Sequence, residues 1–425
     1  MKHSVFRWSR LDNAAKIFPS TTTRTDTKVF RFACELTEPV DPKLLQSALD
    51  STLELFPFYH CTLRRGLFWY FFTQCNQQAI VEEENQPLCN SLYDPDKHQL
   101  LFSVTYFQNR INLEIYHSLA DGTGALSFLR MLIFYYLTEK HPELKQQKID
   151  MEYDASLFER MDDSFSKYYS GKKKYPKQPT PKAYRFSGRK IPENRILVIE
   201  GTGSASQILE KAHEYQTTMS MFLCAVLLKA IAEQMTLKDK KNPVNLSVPV
   251  NLRNFFQSKS ARNFFSVINI SYDFKGEEDT LPAIIASVAD SFRRELTQEK
   301  ISGRINELCA LEHNILTRLV PLPIKDISLW AANRMSERSV TASFSNIGKI
   351  HMPQELSPYI RLFSVFASTR RLQICLCSFG DLLTMSFSSV FVNTEVQRRF
   401  FRILSDMGIE LTISANETGT ERRDS

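Results

Sequence analysis

The sequence lacks the features that mark several classes of protein. No apolar run reaches the roughly 18 residues that a membrane-spanning helix needs, so we expect no transmembrane segment. The opening stretch, MKHSVFRWSRLDN, has no apolar segment of the kind found in secretory signals. The eight cysteines include no CxxC pair, which predicts reduced, buried thiols and a cytoplasmic location. A net charge of only +6 over 425 residues gives no indication of a nucleic-acid partner.

Several motifs of known catalytic and binding sites are also absent. There is no GxSxG nucleophile motif and no GxxxxGK[ST] phosphate loop. The glycines of EGTGSAS lack the GxGxxG spacing of a dinucleotide-binding turn. No cluster of His, Asp and Glu shows ligand spacing, so we predict no metal site.

The chain does contain alternating strand and helix patterns in both halves. It is too long for one core, and its 31 phenylalanines and 15 tyrosines suit large buried sheets or an apolar tunnel. KVFRFACEL alternates like a half-buried strand, and DPKLLQSALDSTLELF begins with a capping Asp41 and with Pro42 at the first helical position. We predict an α/β (α+β) protein with an N-terminal half at 1–165, a C-terminal half at 191–412 and a frayed tail at 413–425.

Residues 166–190 separate the two predicted halves. Their sequence, SKYYSGKKKYPKQPTPKAYRFSGRK, contains three prolines, two glycines and many lysines, which predicts a linker. Lys172, Lys173, Lys174 and Lys177 form a basic cluster in it. Such a cluster is either a solvated strap or a surface for anionic ligands, such as a nucleotide phosphate or an acidic carrier protein.

The segment IYHSLADGTGALSFL contains the most specific pattern in the chain. His117 follows an apolar strand at the point where the chain turns into a helix, which suits an imidazole that takes a proton in a cleft. Gly122 allows a ligand to approach the backbone, and Asp121 either orients the imidazole or pairs with a distant arginine. A structural histidine with Asp121 capping the next helix explains the same residues.

HSLADG resembles the HxxxDG motif of the chloramphenicol acetyltransferase-like superfamily. That superfamily includes the condensation domains of peptide synthetases, plant acyltransferases and alcohol acetyltransferases. The chain is most similar to the bacterial proteins grouped as alcohol acetyltransferases, since WSRLDNAAKIFP, LRRGLFWYFF, PVNLR and FSNIG occur in the expected order around HSLADGTGALSFL. The resemblance extends roughly from Phe6 to Leu411.

The resemblance implies two chloramphenicol acetyltransferase-like subdomains, each a mixed sheet with helices, that meet along a central substrate tunnel. A thioester donor, acyl-coenzyme A or the acyl-phosphopantetheine of a carrier protein, would enter one end as co-substrate, with no bound cofactor. A small alcohol or amine acceptor would enter the other. His117 matches the general base that deprotonates the acceptor and then protonates the leaving thiolate.

The resemblance also assigns roles to other residues of the motifs. Asp121 matches an aspartate that pairs with an arginine, for which Arg253 of PVNLR is the candidate. Gly122 matches the glycine beside the thioester. Ser345 and Asn346 of FSNIG are candidates for lining the tunnel or donating to the oxyanion, although a turn-forming Asn-x-Gly explains the same residues.

Two departures from the superfamily narrow the function. Peptide-forming condensation domains usually have two consecutive histidines, and Tyr116 occupies the first position here. The DFGWG segment of the plant enzymes has no counterpart. These features favour free-standing O- or N-acyl transfer, and we expect the acyl group to be acetyl. The alternative is a catalytically idle protein that binds a lipid or carrier protein in its tunnel.

Overall fold

Strands and helices alternate along the chain. The computed structural model describes residues 8–147, 149, 151, 163–171, 181–276, 278–313 and 315–416. The strands of these ranges are β1 Trp8–Arg10, β2 Val29–Leu36, β3 Cys61–Arg65, β4 Tyr70–Gln74, β5 Glu82–Glu83, β6 Phe102–Phe107, β7 Arg110–Tyr116, β8 Leu197–Ser204, β9 Val244–Asn251, β10 Phe265–Tyr272, β11 Ala342–Lys349, β12 Ile360–Ala367, β13 Leu372–Phe379, β14 Leu382–Ser389 and β15 Leu411–Ala415.

The α-helices lie between these strands. They are α1 Ile17–Thr21, α2 Pro42–Leu55, α3 Gly122–Lys140, α4 Ser164–Tyr168, α5 Ala205–Glu214, α6 Met219–Ala232, α7 Leu281–Glu295, α8 Gln298–His313, α9 Ile315–Leu319, α10 Leu322–Glu337 and α11 Glu395–Asp406. Short 3-10 helices occur at Ala14–Lys16, Pro57–Tyr59, Pro142–Gln146, Pro192–Asn194, Asp239–Lys241, Leu252–Asn254 and Gln354–Tyr359.

The strands form two large sheets and one small sheet. The first sheet has the order β12-β2-β7-β6-β5, and the second has the order β10-β9-β11-β13-β14-β8-β15. A three-stranded sheet, β1-β4-β3, accompanies them. The mixed α/β class predicted from the sequence is confirmed. Strand β12 lies late in the chain but pairs antiparallel with β2, so the second half of the sequence completes the first sheet.

Each large sheet has its own hydrophobic core. Helix α3 is apolar on most faces and is buried against α2 and β2, as its sequence predicts. Helix α6 begins after the capping Thr218 and is buried between α7 and α11 beside the second sheet. The two cores, one on each large sheet, leave the facing sides of the sheets available to form a site between them.

Local signals in the sequence place several boundaries correctly. Asp41 caps α2 by accepting from the backbone amides of Lys43 and Leu44, and Pro42 is the first helical residue. The predicted turns after β3, between β6 and β7, and at Gly380 between β13 and β14 are confirmed. The strand β2 is also confirmed.

The half-buried character expected of β2 is wrong. Arg31, expected on its polar side, is 3% exposed because it forms ion pairs with Glu84 and Glu114. These partners lie 53 and 83 residues away in the sequence, so no local sequence pattern predicts the ion pairs. Because two carboxylates compensate the charge of Arg31, this side chain can be buried, and both faces of β2 are covered.

Two predicted boundaries differ from the structure. Helix α4 continues into the predicted linker as far as Tyr168, and strand β15 takes residues 413–415 from the predicted tail by pairing with β8. The basic cluster of the linker, Lys172, Lys173, Lys174 and Lys177, lies outside the described residues. The division into halves at 1–165 and 191–412 stays a prediction.

No single helix in the described ranges is both long and apolar enough to cross a bilayer. Helices α5 and α6 meet that requirement only as a pair bent by 82°.

Candidate active site

A cavity of about 440 Å³ lies between the first and second sheets. The wall formed by the first sheet is apolar, with side chains of β2 and β12: Val29, Phe30, Phe32, Val365 and Phe366. The facing wall is richer in polar groups, with side chains of β9, β11 and β13: Ser247, Ser343, Ser345, Gln373 and Cys375. These pair as neighbours across the strands, so they form one continuous surface. The cavity therefore presents an apolar side and a hydroxyl-rich side to the same ligand.

His117 lies in this cavity, directly after the last residue of β7. Its backbone amide donates to the Lys28 carbonyl at 2.8 Å, which extends the pairing of β7 with β2 by one residue. The imidazole stacks on Phe18, with ring centroids 4.5 Å apart, and contacts Phe30 and Phe265 edge-on or tilted. Burial among these rings lowers the pKa of His117. The imidazole is therefore neutral near pH 7, as a general base must be.

A buried amide holds the Nδ1 edge of the imidazole. His117 Nδ1 lies 3.2 Å from Asn263 Oδ1, and Asn263 Nδ2 donates to Asp12 Oδ2 at 3.2 Å and to the Ser118 carbonyl at 3.4 Å. Because the amide nitrogen faces two acceptors, the amide oxygen faces the ring, and an oxygen can only accept. Nδ1 therefore carries the proton and donates, which leaves the lone pair on Nε2.

Asp12 supports this amide from inside the protein. It is fully buried, and its other oxygen accepts from the Ala15 amide at 2.8 Å. Burial raises the pKa of Asp12 to about 6, although the nearby Arg262 guanidinium, with Nε 3.6 Å from Asp12 Oδ2, opposes this shift. The carboxylate and the guanidinium thus compensate each other in an interior that disfavours either charge alone.

Asp121 is placed away from the imidazole. Its Oδ2 lies 2.7 Å from Arg253 Nη1 and accepts from the Phe264 amide at 2.8 Å, while Oδ1 accepts from the Gly124 amide at 3.0 Å. Arg253 also donates to the Ser260 and Arg262 carbonyls. These contacts join the start of α3 to the loop before β10 in the other half of the chain.

The two glycines at the start of α3 differ in how much space a Cβ atom would have at each position. A Cβ on Gly122 would lie 3.0 Å from Ile347 Cδ1, in the cavity wall. A Cβ on Gly124 would lie 1.9 Å from the Ala261 carbonyl oxygen, a clash with backbone that no small adjustment relieves. Gly124, which the sequence analysis did not single out, is therefore needed for α3 to pack against the loop before β10.

Ser345 and Asn346 both reach the cavity, but their side chains have different surroundings. Asn346 Nδ2 donates to Ser220 Oγ at 2.8 Å, and its Oδ1 accepts from the Gly348 amide at 2.8 Å. The Asn346 amide thus supports a β-bulge between Asn346 and Gly348, where Gly348 has a φ of 87°. The turn predicted at this Asn-x-Gly is wrong, because β11 continues to Lys349. Ser345 pairs with Cys375 of the neighbouring strand β13, and both residues line the cavity.

Within the described part of the chain, no group of three His, Cys, Asp or Glu side chains is arranged to hold a metal ion. The eight cysteines are free and buried.

Solved structures match almost the whole chain, whereas no family model and no curated protein matches the sequence. TRI3, a trichothecene 15-O-acetyltransferase from Fusarium sporotrichioides, is 12% identical with a TM-score of 0.61, covering 96% of this chain and 98% of that chain. F. graminearum TRI101, complexed with coenzyme A and deoxynivalenol, is 11% identical with a TM-score of 0.64, covering 96% and 100%. The first condensation domain of the calcium-dependent antibiotic synthetase is 14% identical with a TM-score of 0.60, covering 95% and 97%. This chain has the chloramphenicol acetyltransferase-like fold.

Within this chloramphenicol acetyltransferase-like fold, Tyr116 points away from the cavity. It is fully buried, its hydroxyl lies 2.8 Å from Thr22 Oγ1, and its ring stacks on Tyr93. Tyr116 therefore contributes to packing and does not line the cavity.

The support for the imidazole was missed in the sequence. Asp12 lies in WSRLDNAAKIFP, a segment that carries the resemblance but received no role. Its mixed polar and apolar neighbours gave no signal that it would be buried. Asn263 lies 146 residues from His117 and had no signal at all.

Proposed function

We propose that the protein is an acyltransferase that moves an acyl group from a thioester donor to the hydroxyl or amine of a small acceptor. The acyl group that we propose is acetyl. The observation that carries this proposal is the position of the His117 imidazole, whose pKa is lowered by burial. Its Nδ1 is tied to Asn263 and its Nε2 is left to accept a proton in the cavity between the sheets. The neighbouring acetyltransferase folds support the reaction class.

The proposed reaction uses His117 twice. Nε2 removes the proton from the acceptor hydroxyl or amine while the acceptor oxygen or nitrogen attacks the thioester carbonyl. The carbon–sulfur bond of the tetrahedral intermediate then breaks, and the imidazolium returns the proton to the leaving thiolate. The imidazolium is a donor through Nδ1 to Asn263, so this hydrogen bond strengthens as charge develops. Ser345 is the proposed donor to the oxyanion, a role worth about 3 kcal/mol when one donor fills it.

The proposed donor is acyl-coenzyme A, with acyl-phosphopantetheine on a carrier protein as the other source of a thioester. TRI101, which has been solved with coenzyme A, supports the first. Asp121, Gly122 and Arg253 are proposed to shape the loop beside the thioester, with the Asp121–Arg253 ion pair as the brace. A cytoplasmic location stays a prediction.

Release of free thiol from acetyl-coenzyme A, measured with and without a panel of small alcohols and amines, tests the proposal. His117→Ala should lower turnover by about two to four orders of magnitude, the usual contribution of a general base. The matched control is His351→Ala, because His351 is exposed and lies outside the cavity. Near wild-type turnover in His117→Ala would overturn the mechanism. Binding of coenzyme A without turnover of any acceptor would instead favour the idle, ligand-binding alternative.

A further inference from the structure

Helix α10 exposes large apolar side chains of a kind that a surface helix ordinarily buries. Among its 16 residues only Leu322 is buried. Its inward side includes Asn333, Ser336 and Glu337, which line the cavity. Its outward side carries large apolar side chains that are 45–69% exposed: Ile324, Ile327, Trp330 and Met335. A surface helix normally places its apolar stripe inward, so this stripe is suited to an apolar surface outside the protein.

The apolar surface extends beyond the helix itself. Leu319 at the end of α9 is 66% exposed, and Leu67 at the tip of the β3–β4 hairpin is 71% exposed. The hairpin tip is joined to α10, since the Leu322 amide donates to the Leu67 carbonyl at 2.9 Å. We call this surface the α10 face; it comprises Leu67, Phe68, Leu319, Ile324, Ile327, Trp330 and Met335.

The exposed charged side chains of α10 and its C-terminal end are basic. Both acidic side chains of α10 are engaged on its inward side: Asp326 accepts from Ser20 Oγ at 2.7 Å, and Glu337 accepts from Asn333 Nδ2 at 3.0 Å. The exposed charged residues of the helix and its end are Arg334, which lies over the Trp330 ring, and Arg338.

We propose that the α10 face docks onto the surface of an anionic lipid bilayer. Apolar side chains with a tryptophan suit the boundary between acyl chains and headgroups, and flanking arginines suit lipid phosphates. A second copy of the chain would bring the arginines of one face against those of the other, which disfavours self-association. Because the inward side of α10 lines the cavity, docking brings the cavity next to the lipid. The proposal does not rest on the proposed function.

Sedimentation with lipid vesicles tests the docking. The full chain should sediment with vesicles that contain phosphatidylglycerol and less with pure phosphatidylcholine vesicles, and salt should weaken the difference. Ile327→Ser combined with Trp330→Ser should lower the partition coefficient by about tenfold or more, because two large apolar side chains no longer enter the lipid. Arg334→Glu combined with Arg338→Glu should abolish the preference for phosphatidylglycerol. Leu237→Ser, at a site 89% exposed outside the α10 face, is the matched control and should leave binding unchanged.

Three results would overturn the docking. The first is a wild-type chain that stays in the supernatant with both kinds of vesicle. The second is equal sedimentation of the wild type and both double variants, with unchanged melting temperatures showing that the variants are folded. The third is a wild-type dimer in solution that the Ile327→Ser and Trp330→Ser changes dissociate, which would make the α10 face an interface between copies.

Discussion

Replacing Asn263 with alanine should separate orientation of the His117 imidazole from its basicity. Asn263 is 1% exposed, and its amide bridges the 3.2 Å contact to His117 Nδ1 and the 3.2 Å contact to Asp12 Oδ2. Asn263→Ala removes the group that holds the proton on Nδ1, so the ring is free to rotate and to carry its proton on Nε2 instead. In that form the nitrogen that faces the acceptor is no longer a base.

The size of the effect follows from the charge that forms during the reaction. A hydrogen bond to a charged group contributes about 1.5–3 kcal/mol, and the imidazolium makes such a bond only after it has taken the proton. Loss of this hydrogen bond from the transition state corresponds to about a ten- to hundredfold decrease in kcat. KM for the donor should stay nearly constant. The free energy of unfolding should also fall by about 1–3 kcal/mol, because the buried Asp12 carboxylate loses a donor.

The dependence of kcat on pH distinguishes a lost orienting role from a loss of stability, because reduced stability alone does not shift the pKa of His117. The bond from Asn263 raises the pKa of His117 against the larger, lowering effect of burial, so Asn263→Ala should lower this pKa further. Activity falls as the base becomes protonated, so the acidic limb of kcat against pH should shift to lower pH in the variant.

Asn245→Ala is the matched control for Asn263→Ala. Asn245 is a buried asparagine in β9 that donates to the Ser339 carbonyl and lies outside the cavity. Asn245→Ala should lower the melting temperature while leaving kcat and the pH profile of the folded enzyme unchanged. Wild-type kcat and an unshifted limb in Asn263→Ala would refute the orienting role.

Two further predictions concern buried charges around the site. Asp121→Asn leaves the Arg253 guanidinium uncompensated and should lower the free energy of unfolding by about 3–5 kcal/mol, measured by denaturant titration, and activity with it; an unchanged midpoint would contradict the brace. The pKa of Asp12 is raised to about 6, so the folded state binds its proton more tightly than the unfolded state does. Stability should therefore decrease as pH rises from about 4 to 6, and Asp12→Asn should flatten that slope in thermal melts. An identical slope in wild type and variant would show that other groups cause it.

The sequence by itself determined those elements and ends that depend on a few adjacent residues. Asp41 and Pro42 start α2, and Gly380 turns the β13–β14 hairpin, because capping and turn geometry depend on a few adjacent residues. The same locality explains why a helix cap was among the alternatives for Asp121, which accepts from the Gly124 amide three residues on. The position of His117 at the end of β7 followed from the apolar run before it.

Only the tertiary structure decided what surrounds these residues. Arg31 is buried because two distant carboxylates reach it, and β12 joins the first sheet after a long excursion of the chain through the second. The imidazole of His117 is oriented by Asn263, which is itself held by Asp12 from near the start of the chain. These contacts join residues at least 53 positions apart, and they depend on how the strands and sheets pack together. They leave no periodicity or spacing in the sequence from which they could be predicted.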